Sequence, residues 1–147
     1  MVIIGITGTI GAGKGTIVDY LIAKKQFKHY SVRSFLLKEI EKQDLLPNRD
    51  SMVMVANRLR EMHSPSFIVD ELMKEAMIDN VSSVIESIRT EGEILSLRKQ
   101  PDFYLFAVDA LPEIRFQRIK LRSSETDHID YQTFIQNEQR ESHSDDP

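Results

Sequence analysis

A chain of 147 residues has the length of one domain, and its 41% hydrophobic content is enough for a core without covalent or metal staples. The 19 basic and 23 acidic residues give a net charge of −4, which argues against a general surface for nucleic acid or anionic membrane but leaves room for a locally basic pocket. Cysteine is absent, so disulfides, thiolate zinc sites and thiol redox chemistry are excluded.

Met1-Val2-Ile3-Ile4-Gly5 carries no basic n-region, and its apolar run is too short for a signal peptide or membrane span, so a cytoplasmic location is expected. Val2 to Thr7 is a short, β-branched apolar run bounded by glycine, the pattern of a strand buried on both faces of a parallel sheet. From Gly15 to Lys25, Ile17, Val18, Leu21 and Ile22 recur at helical spacing, with Lys24 and Lys25 where the helix dipole favours cations. His29 to Val32 reads as a second strand. It leads into a helix with Phe35, Leu36 and Ile40 that stops near Leu46-Pro47. Asp50 is expected to cap the next helix, with Met52, Val55, Ala56, Leu59 and Met62 on its inner face. Ser64-Pro65 reads as an N-cap and first-turn proline for a helix burying Ile68, Val69, Leu72, Met73 and Ala76.

Val81 to Ile85 and Phe103 to Val108 are the remaining strand-length runs, with a short helix around Gly92 to Lys99 between them. Leu111 to Arg122 and Tyr131 to Glu141 read as late helices, joined by a polar stretch, Ser123 to Asp127, expected to be mobile. Strands alternating with helices imply a three-layer α/β/α domain with a parallel sheet, whose ligands bind beyond the carboxyl ends of the strands.

Gly8-Thr9-Ile10-Gly11-Ala12-Gly13-Lys14-Gly15-Thr16 has the P-loop spacing, placed between a predicted strand and a predicted helix. Glycines let the backbone curl so that several N–H groups converge on phosphate oxygens. Lys14 adds a charge for the β and γ phosphates, the following helix N-terminus favours an anion, and the Thr16 hydroxyl suits Mg²⁺. Glu86 ends an apolar strand, where an acid orients Mg²⁺ or its waters; the alternative is a solvated strand-end glutamate. Asp109 either serves the same edge or starts the next helix.

Arg115, Arg118 and Arg122 share one helical stripe, a repulsive row that a bound polyphosphate would turn into charge-assisted contacts. Arg140 follows the polar loop and either turns inward or forms a surface salt bridge. Arg33 and Arg89 stand just past strand ends and suit a second anion, to which one of Arg58 and Arg60 also belongs. His29, His63, His128 and His143 lack paired ligand spacing, and no Ser/His/Asp arrangement is visible.

With these features in one short α/β chain, the sequence resembles the P-loop nucleoside and nucleotide kinases of the adenylate-kinase-like and dephospho-CoA-kinase-like branch, over nearly its whole length. The loop Gly8 to Thr16 matches that family's form, with glycine between lysine and threonine. Gln117 to Arg122 is similar to its segment leading into the lid, Glu138 to Glu141 to the returning arginine segment, and Tyr30 to Ser34 to the start of the acceptor-binding helix.

The resemblance implies one domain over residues 1–147, with acceptor-binding helices at about 32–78 and a lid region at about 118–140. ATP and Mg²⁺ would be bound through Gly8, Gly11, Ala12, Gly13, Lys14, Gly15, Thr16 and Arg118, and the metal through Thr16 and Glu86. Lys14, Arg118, Arg122 and Arg140 would be catalytic, and Arg33, Arg58, Glu86 and Arg89 would bind the acceptor. Two departures stand out. Glu86-Ser87-Ile88-Arg89-Thr90 replaces the family's Asp-Gly-Phe-Pro-Arg segment, which leaves the acceptor open, and the family's last strand and closing helix are missing before Pro147. Either the sequence is truncated or the domain continues into a fused C-terminal region, with an oligomer as a further expectation; a missing strand would expose a sheet edge and weaken adenine binding. The expected activity is transfer from Mg-ATP to a nucleoside or deoxynucleoside monophosphate; the alternatives are a dephospho-CoA kinase and a nucleotide-binding regulatory module. The expected partner is a small phosphate acceptor, with neither nucleic acid nor membrane.

Overall fold

A computed structural model describes residues 1–122 and 130–142, with all their side chains except those of residues 122 and 140–142. The elements run β1 (Ile3–Gly8), α1 (Lys14–Lys25), β2 (Lys28–Ser31), α2 (Val32–Lys42), α3 (Arg49–Met62), α4 (Phe67–Asp79), β3 (Ser83–Glu86), α5 (Glu91–Leu97), β4 (Phe103–Val108), α6 (Pro112–Arg122) and α7 (Tyr131–Ser142). The segment Ser123 to Asp127 lies outside the described residues.

All strand pairs are parallel, in the order β2-β3-β1-β4. β1 is an inner strand, and its alternating side chains are buried on both faces, as a continuous apolar run requires. Ile3 joins Ile85 and Ile88 in a cluster with residues of α2 to α5, including Leu36, Ile40, Val55, Ile68 and Leu97. Ile4 and Ile6 join Val84 on the other face, against Val18 and Leu21 of α1. The domain is therefore a three-layer α/β/α sandwich whose sheet is the expected parallel one. No helix among the described residues is long and apolar enough to cross a membrane.

The differences from the sequence reading fall at element ends. Val32 begins α2 instead of closing β2, because Ser31 caps that helix by accepting the Ser34 N–H at 3.2 Å. α2 ends at Lys42, where Asp44 takes a left-handed φ of 57°, short of Leu46-Pro47. Asn48, not Asp50, caps α3, accepting from the Ser51 N–H at 2.9 Å; Asp50 sits in the first turn, where its charge favours the dipole. α4 begins at Phe67 rather than after Ser64, because the Phe67 N–H closes a turn onto the Ser64 carbonyl at 3.1 Å. Ser66 then donates its hydroxyl to Asp70 instead of capping. Val81 stays outside β3, and Met62 and Ile22 lie exposed rather than inside. β4 borders the described sheet, which leaves Tyr104 and Phe106 55% and 43% exposed.

At the opposite border, Lys28 Nζ lies 2.5 Å from Asp79 Oδ2, and the Tyr30 hydroxyl donates to the same oxygen, tying β2 to the end of α4. The Lys28 bond, then the Tyr30 bond, hold the Asp79 carboxyl below its ordinary range, and the Asp79 bond raises Lys28. A depressed carboxylate contributes stability that is complete above its unfolded pKa and is lost as pH falls through the folded value. The raised Lys28 contributes in full below its unfolded pKa and loses that contribution as pH climbs through its folded one. Asp79→Asn should therefore lower the thermal midpoint at neutral pH, with the deficit shrinking in strong acid and at high salt, since the pair is half exposed. Melting curves across pH check this; a deficit independent of pH would contradict it.

Candidate functional site

β1 delivers the chain into residues 9–13 at the carboxyl edge of the sheet, and Gly8, Gly11 and Gly13 take φ of 149°, 78° and 103°. At two of these positions a side chain would also collide. A Cβ on Gly8 would stand 2.1 Å from the Val108 carbonyl oxygen of β4, and one on Gly11 would stand 2.8 Å from that of Arg115 on α6. The loop is thus pressed against both β4 and α6 by its own main chain, while a Cβ on Gly15 would meet nothing within 4 Å. Ala12 is buried, and its N–H closes the loop onto the Thr9 carbonyl at 3.2 Å.

α1 starts directly on the loop. Its N-cap, Gly13, offers no side-chain cap, so the first-turn N–H groups and the positive end of the dipole face outward beside exposed Gly15 and Thr16. Lys14 Nζ folds back to donate to the carbonyls of Gly8 at 2.6 Å and Thr9 at 2.8 Å. Arg118, exposed on α6, donates to the Gly11 carbonyl at 3.0 Å. Asp109 stands at the rim, accepting the Thr9 hydroxyl at 3.3 Å and its neighbour Ala110 N–H at 2.8 Å.

Arg115, on the same stripe as Arg118, goes inward instead. It is 4% exposed, forms a two-pronged pair with Glu138 of α7, and donates through Nε to the Ala110 carbonyl at 2.8 Å. The stripe therefore divides into one buried arginine and one over the loop. Arg122 and Arg140 belong to α6 and α7, and their side chains lie outside the described residues.

A second group of side chains gathers where β2 and β3 end. Ser31 pairs with Glu86 in the β2–β3 register, and Ile6 pairs with Glu86 in the β1–β3 register, which sets this acid beside the strand that feeds the loop. His29 Nε2 lies 3.0 Å from Glu86 Oε1. Arg33 and Arg89 follow Ser31 and Glu86 within three residues, and both are exposed. Arg58 is not drawn into this group: its Nη1 donates to Gln43 at 3.1 Å, joining α3 to the end of α2.

Arg60 is the α3 arginine that reaches the loop bearing Arg89. Its Nη2 stands 3.5 Å from Oε1 of Glu93, a carboxylate 1% exposed. Glu93 Oε2 accepts the main-chain N–H groups of Arg89 at 2.8 Å and Thr90 at 3.1 Å, and the Thr90 hydroxyl accepts the Glu93 N–H at 3.2 Å. This is a capping box at the start of α5, legible in the spacing Thr90-Glu91-Gly92-Glu93. The sequence reading passed over Glu93; the Arg115–Glu138 pair, by contrast, gives no local signal, since its members are 23 residues apart.

The family described as AAA domain matches residues 4–143. This chain belongs to the AAA domain family. It is also a member of the UPF0200 family: the UPF0200 protein of Methanococcus maripaludis is 31% identical over 144 residues, covering 96% of this chain and 78% of the relative. The Methanocaldococcus jannaschii member is 32% identical over 145 residues, covering 96% and 73%. Among solved structures, TT1252 from Thermus thermophilus superposes with a TM-score of 0.61 at 20% identity, covering 94% of this chain and 78% of that one. Shikimate kinase from Bacteroides thetaiotaomicron superposes at 0.53 and 16% identity, covering 95% and 79%. These likenesses carry the fold alone, a three-layer α/β/α sandwich.

Two outcomes follow for the site. Gly11→Ala, which strains a left-handed residue and meets the Arg115 carbonyl, should lower stability by about 1–3 kcal/mol, whereas Gly15→Ala in open space should leave the midpoint level or higher; equal effects in thermal melts would contradict the packing described. Glu93→Ala leaves half-buried Arg60 and two N–H groups without their acceptor and should cost about 2–4 kcal/mol in urea unfolding.

Proposed function

We propose that this chain is an ATP-dependent phosphotransferase that carries the γ-phosphoryl group of Mg-ATP to a nucleoside or deoxynucleoside monophosphate. One observation carries the reading: Lys14 and Arg118 both fold onto the carbonyls of a curled glycine loop, at the same sheet edge where Glu86 ends β3 and Arg33 and Arg89 follow the ends of β2 and β3. Two groups of cations flanking one acid suit two phosphate-bearing substrates held end to end.

The donor set fits a polyphosphate. The first turn of α1 has no side-chain cap, and the loop is open above Gly15, where the positive end of the helix dipole favours anionic oxygens. Thr16 and Glu86 would hold Mg²⁺, which would supply positive charge to offset that of the phosphates. Lys14 would exchange its two carbonyl partners for phosphate oxygens, and Arg118, with Arg122 and Arg140, would stabilise charge spread over the equatorial oxygens. Arg33 and Arg89 would align the acceptor so that its phosphate oxygen attacks in line, with no covalent enzyme intermediate.

The His29–Glu86 contact favours a second reading, because a carboxylate steadied by an imidazole also suits a hydroxyl acceptor, whose proton must leave. The ribose of dephospho-CoA is such an acceptor. A panel following ADP formation from Mg-ATP with each ribo- and deoxyribonucleoside monophosphate and with dephospho-CoA separates the two. Turnover with one monophosphate is the expected result; turnover with dephospho-CoA alone selects the second reading. ATP binding without transfer to any acceptor would leave a nucleotide-binding regulatory module. Lys14→Ala should reduce turnover by about 10²-fold or more with the fold intact, and near-normal turnover of a folded variant would sink the assignment.

A further inference from the structure

Arg115 is the one buried arginine on α6 among the described side chains, and it faces three parts of the molecule at once. Its Nε holds the Ala110 carbonyl at the start of α6; Nη1 lies 3.5 Å from the Ile10 carbonyl of the glycine loop; Nη1 and Nη2 together clasp the Glu138 carboxylate of α7, the Nη2 bond measuring 2.9 Å. Its guanidinium also lies 5.5 Å from the Phe134 ring centre, over an aromatic cluster in which Phe116 of α6 meets Tyr131 and Phe134 of α7 at 5.4 and 5.6 Å.

We infer that Arg115 and Glu138 are positioning residues whose ion pair, buried at its arginine end, transmits the occupancy of the glycine loop to helix α7. The inference rests on the phosphate-binding reading of the loop and adds to it a route from loop to helix. The Ile10 carbonyl and the Gly11 N–H belong to one planar trans peptide, so the group that holds the carbonyl outward aims the N–H toward the anion. The 3.5 Å contact is the weak link of the set, at the limit of a hydrogen bond, and it is the one that tightens or slackens when the loop gains a ligand. The bonds to Glu138 and Ala110 are short, and Arg115 is too buried to exchange them for water, so a shift of the guanidinium is passed to α7 instead of being absorbed. Gly11 packs without a side chain against the Arg115 main chain, which leaves no slack on the loop side either.

Hydrogen exchange read by mass spectrometry, with and without magnesium tripolyphosphate, tests this. In the parent chain, amides of the glycine loop and of α7 should both slow, α7 by about fivefold or more, the lower end of ordinary coupling. The double variant Arg115→Met with Glu138→Leu replaces the pair by apolar side chains and leaves no orphaned charge, so it should fold; it also loses the hold on the Ile10 carbonyl, so it is compared at saturating tripolyphosphate, where its loop amides should still slow while those of α7 do not respond. Equal α7 slowing in the double variant, or an α7 that ignores tripolyphosphate in the parent, overturns the inference while leaving the phosphate-binding reading intact. Loop amides that do not respond in the parent overturn both. Should the double variant not fold, Glu138→Gln keeps an acceptor but not the charge, and its α7 response should drop well below the parent's; an unchanged response counts against the coupling.

Discussion

The site depends on the contact between the end of β1 and β4, where Gly8 lies so near the Val108 carbonyl that no side chain fits between them. β1 reaches that point as an inner strand with both faces buried, so its end is fixed in height and direction by Ile3, Ile4 and Ile6 before the loop begins. A loop that starts from a rigid strand and finishes on a helix N-terminus needs little further ordering when a ligand arrives. The parallel register does the rest: Glu86 lies beside Ile6, and Ser31 beside Glu86, so three strands present their carboxyl ends to one edge.

Buried charge then fixes the surroundings. Glu93 with Arg60 anchors the loop after β3, and Glu138 with Arg115 anchors the turn before α6 and the tip of the glycine loop. Each arrangement joins a carboxylate to main-chain groups or carbonyls as well as to an arginine, which is what makes burial of an ion pair tolerable. Two of the arginines in this chain are thereby committed to scaffolding, and Arg33, Arg89 and Arg118 stand exposed around the edge. A chain of net charge −4 can hold a local cation cluster in this way, because two of its acids, Glu93 and Glu138, are paired with other arginines.

The sheet and the glycine loop were legible in the sequence because both rest on local patterns: β-branched runs of strand length, and glycines at spacings that only a curled backbone uses. The α4 interior was legible for the same reason, with Ile68, Val69, Leu72, Met73 and Ala76 all buried. Element ends were less so, since Asn48 and Asp50 are both competent caps and the structure uses Asn48, two residues earlier, with Asp50 in the first turn. Nor does periodicity distinguish Arg115 from Arg118, three residues apart on one stripe; what separates them is Glu138, brought alongside by the packing of α7. Likewise Arg58 and Arg60 differ in sequence by nothing that predicts one against Gln43 and the other against Glu93. The capping box at Thr90 has a short-range signature, Thr90 and Glu93 three residues apart, that the sequence reading did not use.

The partners of Lys14 and Arg118 explain how such a loop stays folded before any ligand binds. Two cations and a helix N-terminus converge on a few residues, an arrangement that repels itself unless each charge has an acceptor. The loop supplies those acceptors from its own backbone: Gly8 and Thr9 for Lys14, Gly11 for Arg118. A hydrogen bond from a charged donor to a neutral carbonyl is worth about 1.5–3 kcal/mol, and contacts to an anionic oxygen are stronger still. Charge-assisted contacts to a phosphate would replace those carbonyl bonds in the proposed function, and the exchange would leave the curled backbone in place because the glycine contacts to Val108 and Arg115 do not take part in it. The same carbonyls that neutralise the cations in the free loop thus hold them within reach of the place where an anion would sit.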